Sequence, residues 1–166
     1  GEVDAVYGDA VNPLSVHSSE NFYQNAVGGY APPSAALFDF FPELEFDSFI
    51  TIGLLDDTGD AMLDIVIDFT DFENNGGSIT TDNGTWFATP DDDQVNAGDG
   101  LRVLIGQFTM YGLDSNVSGV LNLQGKVGDF ETFQARGQAF DFSLIPAPGA
   151  LALLGLAGLA GTRRRK

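Results

Sequence analysis

Hydrophobic and polar residues alternate along much of this chain. Residues 61–70 read AMLDIVIDFT, with Leu63, Ile65, Ile67 and Phe69 separated by Asp64, Val66, Asp68 and Thr70. This period of two predicts a strand with one dry and one wet face. Residues 1–8 alternate more loosely, placing Val3, Ala5 and Tyr7 opposite Glu2 and Asp4, and predict a short half-buried strand. Residues 9–34 read as loop, broken at Asn12-Pro13, Gly28-Gly29 and Pro32-Pro33, with a strand segment around Phe22 and Tyr23. Residues 35–41 form a further strand candidate ended by Pro42. Residues 45–54 form a stronger one, in which Phe46, Ile50 and Ile52 flank Asp47 and Thr51.

The second half continues in the same way. Turns are expected at residues 56–60 and 74–77, and a hairpin at Asp82-Asn83-Gly84 between strands 78–81 and 85–89. Residues 90–100 read as a polar surface loop. Residues 101–111, 117–127 and 131–144 read as three long strands. The total is about eight to ten strands with frequent turn signals and no amphipathic 3.6-residue pattern in the body. The fold class this predicts is all-β, an antiparallel β-sandwich of jelly-roll-like form, followed by a short C-terminal hydrophobic helix.

Charge divides the chain into two parts. Residues 1–144 hold all 24 acidic residues but only Arg102, Lys126 and Arg136 as cations, a net −21; the last four residues return +4, giving −17 overall. The expected domains are therefore an acidic β-sandwich over 1–144 and a tail over 145–166. A body this acidic repels nucleic acid and anionic lipid headgroups. The chain has no cysteine, which excludes disulfides and thiol chemistry, and its 14 phenylalanines supply the core material.

Candidate chemistry is sparse. His17, the only histidine, stands among serines in a loop with no nucleophile motif beside it. No catalytic residue and no required cofactor are expected. Calcium suits two acidic clusters, Asp56, Asp57 and Asp60, and Asp91, Asp92, Asp93 and Asp99, although neither matches an EF-hand. Solvated hairpin turns account for the same clusters. Trp86 is the one tryptophan and the natural place to look for a saccharide platform. The sequons at Asn83 and Asn116 are read as structural.

The tail has three parts: Ile145-Pro146-Ala147-Pro148-Gly149, the uncharged residues 150–161, and Thr162-Arg163-Arg164-Arg165-Lys166. Twelve uncharged residues reach about 18 Å as a helix, short of the roughly 20 residues a full span needs. The cationic end is expected on the cytoplasmic side, so the segment suits a transient anchor. This layout resembles the PEP-CTERM sorting signal of bacterial surface proteins, with Pro146, Ala147 and Pro148 in place of the signature Pro-Glu-Pro and Arg163, Arg164 and Arg165 as the basic cluster. The resemblance implies an exosortase, a membrane-embedded cysteine protease, as processing partner. It also implies export to the cell surface or extracellular matrix, where exopolysaccharide is made. The blocks at residues 46–53, 84–92 and 102–109 resemble, more loosely, the β-rich domains that precede such tails. A start at Gly1 rather than Met is read as the mature end of an exported chain.

The function expected is that of a non-enzymatic surface or matrix protein that self-associates. The N-terminal strand is the segment expected to complete a neighbour's sheet. The alternative is an extracellular polysaccharide- or calcium-binding module.

Overall fold

The computed structural model describes residues 1–59, 62–90, 92–112, 114–128 and 131–143. The expected C-terminal helix and all the sorting-signal residues, from Pro146 to Arg165, lie outside the described residues. The strands are β1 (Glu2–Tyr7), β2 (Leu14–Ser18), β3 (Phe49–Ile50), β4 (Leu63–Ile65), β5 (Ile79–Thr81), β6 (Thr85–Phe87), β7 (Gly106–Gln107), β8 (Asn116–Val127) and β9 (Glu131–Ser143). One helix, α1, spans Thr70–Asn75, and three short 3₁₀ turns fall in the connections. The chain is mostly β, with very little helix, and every strand pairing described is antiparallel.

Seven strands form one sheet built around β8. β9 runs along the whole of one edge of β8, from Asn116↔Ser143 to Val127↔Glu131. The other edge is shared end to end by β1, which faces residues 122–126, and β2, which faces residues 117–120. β6 and β5 repeat this arrangement one place further out, beside β1 and β2 respectively. β1–β2 and β5–β6 are thus two long strands, each interrupted by an excursion at the same level. Gly8 N–H donates to Gly84 O across the gap at 2.8 Å, tying the excursions together. The Asn83-Gly84 signal therefore marks a break within a strand rather than the expected hairpin.

The break is organised by Asn122, which is fully buried. Its Nδ2 donates to Tyr7 O at 3.0 Å and to Asn12 O at 2.8 Å, where the first excursion leaves and returns. Its Oδ1 accepts from Gly137 N–H at 2.8 Å. Opposite Asn122 the β8–β9 register shifts, and Gly137 takes a φ of 60°, a backbone state that glycine reaches without strain.

The core lies against one face of this sheet. Val6, Val16, Ile79 and Trp86 meet Phe22, Ile52, Phe72 and Val95 from the opposing segments, where β3 and β7 form a separate two-stranded sheet. Residues 45–54 depart from the expected alternation, because Asp47 to Ile52 are all buried. This segment is bonded on both edges: Ser48 and Ile50 donate to Tyr23 and Tyr30, and Thr51 and Gly53 donate to Ile105 and Leu104. It is a covered central segment, so a polar residue does not mark a wet face there.

Other expectations are corrected. Residues 35–37 form a 3₁₀ turn closed by Leu37 N–H onto Ser34 O, not a strand. The strand expected over 61–70 ends at Ile65, because Val66 turns left-handed with a φ of 61°. The face then flips: Leu63 and Ile65 are 50% and 52% exposed, while Ile67 and Phe69 are buried. The turn expected at 74–77 is the end of α1, where Gly76 caps the helix at a φ of 66°. β2 falls inside the segment read as loop, and the strand expected over 101–111 is reduced to β7. In β1 the buried residues are Asp4 and Val6 rather than Val3, Ala5 and Tyr7. Asp4 is an extra residue between the pairs Val3↔Gly125 and Ala5↔Gln124, and this bulge resets the alternation.

Candidate functional site

Trp86 sits in the centre of β6 and is 1% exposed. Its indole N–H donates to Thr51 O at 3.2 Å, so both ring and polar handle are committed to the core. It is not a ligand platform. Aromatic richness alone could not separate the two roles; the β1 register, Val6↔Trp86, puts it on the covered face.

The acidic clusters behave as turn residues where they are described. Asp56 Oδ1 accepts from Thr58 N–H at 2.9 Å and from its hydroxyl, and Asp57 Oδ1 accepts from Ala35 N–H at 3.0 Å. A side-chain bond from Ser34, and after it the Ala35 N–H, hold the Asp57 carboxyl below its usual range. Asp93 opens a 3₁₀ turn whose Val95 plugs the core, and Asp99 is exposed. Asp60 and Asp91 lie outside the described residues. Among the described residues no group of three acidic or histidine side chains converges to hold a metal. His17 stands exposed on β2.

The N-terminal strand, expected to reach a neighbour, is bonded within the chain to β6 on one edge and β8 on the other. Among the described residues β4, β5 and β9 each pair on one side only, and the longest of these open edges is β9, 13 residues long. Its C-terminal half borders an apolar groove of about 310 Å³, whose floor and walls include Ile105, Phe108, Leu121, Phe140 and Phe142. Phe140 and Phe142 stack at 5.8 Å, and Phe142 is 64% exposed. Their spacing of two in the sequence was visible, but that they line one groove with Ile105 and Phe108 was not.

Among the described residues two carboxyl groups are buried against their electrostatic preference. Asp4 and Asp47 are 5% and 0% exposed, and burial raises both pKa values above the ordinary 3.8. The folded state therefore binds their protons more tightly than the unfolded chain does. Stability from these groups is expected to rise as pH falls through the raised values towards the ordinary 3.8, and to be lost as pH climbs back through them. Asp9, Asp57 and Asp68, whose values are lowered by turn hydrogen bonds, oppose this below the ordinary carboxylate range. Urea denaturation across pH in high salt, which screens the general repulsion, isolates the effect. The double variant Asp4→Asn/Asp47→Asn should flatten the slope; an unchanged slope would refute the assignment.

Among the described residues no helix is long and apolar enough to cross a membrane. No protein-family model, curated protein or solved structure matches the chain.

Proposed function

We propose that this chain is an exported, non-enzymatic structural protein of the cell surface or extracellular matrix that associates with copies of itself through β9. The observation that carries this reading is the long open edge of β9 beside an exposed apolar groove. An unpaired edge of this length presents a row of free N–H and C=O groups and invites strand addition. Arg136 and the Gly137 bulge obstruct the middle of the strand, so residues 138–143 are the pairing segment, with Phe142 covered by the second copy. The resemblance of residues 145–166 to an exosortase-processed sorting signal supports export, with that protease as processing partner and the tail inserted transiently in the membrane. The seven-stranded sheet and the small β3–β7 sheet are on this reading the two unequal layers of a β-sandwich.

The test is analytical ultracentrifugation of the full chain over a wide concentration range. Wild type is expected to associate with rising concentration, and Phe142→Lys to remain monomeric with an unchanged circular dichroism spectrum. A wild-type chain that stays monomeric throughout overturns the self-assembly reading.

A further inference from the structure

The face of the large sheet turned away from the core carries its own cleft, of about 400 Å³. The register defines its residues. Val6, Trp86 and Leu123 are mutual partners on the core face, so Ala5, Phe87 and Gln124 face outward, as does Leu63 opposite Phe87. One side of the cleft is apolar, formed by the half-buried rings of Tyr7 and Phe87.

The other side is a ladder of polar side chains crossing three strands. Arg136 Nη2 donates to Gln134 Oε1 at 2.8 Å, Gln134 Nε2 donates to Gln124 Oε1 at 3.2 Å, and Gln124 Nε2 approaches Asp4 Oδ1 at 3.5 Å. Asp9 holds the far end through Arg136, N to O 3.8 Å. Both amides are therefore oriented before any ligand arrives. Asp4, 5% exposed, lies at the inner end of the ladder, where its carboxyl also feels the Lys126 ammonium and its own backbone N–H.

We propose that this cleft binds a neutral saccharide. Pyranose units are amphipathic in the same sense as the cleft. Their C–H faces pack on aromatic rings, here Tyr7 and Phe87, while their hydroxyls both donate and accept. The Asp4 carboxyl offers an acceptor to one hydroxyl, and the fixed amides of Gln124 and Gln134 take neighbouring hydroxyls. The charge of the chain, −17 overall, and the carboxylate at the inner end select against uronates and sulfated sugars. The inference stands independently of self-association through β9, which lies around the groove on the opposite face.

The experiment is calorimetric titration of the full chain with hexasaccharides of glucose, mannose and galactose in α and β linkage, and with hexagalacturonate as the charged control. Saturable binding of at least one neutral hexasaccharide is expected, with none for the uronate. Phe87→Ala and Gln124→Ala should each weaken it about tenfold or more, the scale of one lost ring contact or hydrogen bond. Gln134→Ala, at an exposed position, tests the ladder without threatening the fold and should weaken binding severalfold. Absence of binding across the neutral panel overturns the proposal, as does binding that survives all three substitutions or that favours the uronate.

Discussion

Replacement of Asn122 is expected to cost more stability than any other single polar change in the described part of the chain. Asn122→Ala removes the side-chain partner of the Tyr7 carbonyl and of the Gly137 N–H, and one of two donors to the Asn12 carbonyl, which keeps the Asp9 N–H at 3.2 Å. Each group so deprived costs about 1–3 kcal/mol, so a loss of roughly 2 kcal/mol or more is expected, against a total of about 5–15 kcal/mol for a domain. Asn122→Asp should be worse despite its matching shape. It replaces the donor to two carbonyls with a charged acceptor, in a position that is 0% exposed. Urea denaturation checks both variants. The order Asp below Ala below wild type is the signature of the network, and a loss under about 1 kcal/mol for Ala would sink it.

How much of this was legible beforehand follows from which residues carry the signal. β8 and β9 were readable nearly to the residue, because long alternating runs bounded by glycine turns have few other folds available. Residues 61–70 had the best alternation in the chain, yet only three of them form a strand. Alternation reports a face only while the backbone stays extended, and the left-handed Val66 breaks that condition with no sequence mark. The residues 45–54 failed for the opposite reason. Bonded on both edges and covered on both faces, they bury Asp47, Ser48 and Thr51 with the aliphatics, so polarity lost its meaning.

Site residues followed the same division. Trp86 was singled out for its ring, but only the register Val6↔Trp86 shows which way the ring points. The outer cleft combines Asp4, Phe87, Gln124 and Gln134 from four strands, a juxtaposition that exists only once the pairing is known. Asn122 could not be found as a pin, because its three partners come from positions 7, 12 and 137.

Two glycines in β8 did carry a readable signal, and they support the second large effect. A glycine inside a strand marks close approach of another backbone. A Cβ built on Gly125 would lie 1.9 Å from Glu2 O, and one on Gly119 would lie 1.9 Å from Ser15 O. Both obstacles are main-chain atoms of the neighbouring strands, so neither can rotate aside. On the other flank, Phe133 pairs with Gly125 and Phe140 with Gly119, each ring lying over the glycine opposite it. The rings restore the apolar cover that glycine lacks. Gly119→Ala and Gly125→Ala must therefore displace β2 or β1, and each is expected to cost about 2–3 kcal/mol, towards the upper end for overpacking. Gly100→Ala is the control, since nothing lies within 4 Å of its added carbon. It should fall within about 0.5 kcal/mol of wild type. If Gly125→Ala unfolds at the same urea concentration as Gly100→Ala, β1 does not run against β8 as described. Should Gly125→Ala be destabilised and Gly119→Ala not, β1 is held against β8 but β2 is free to yield, and the two segments are not one continuous strand in mechanical terms.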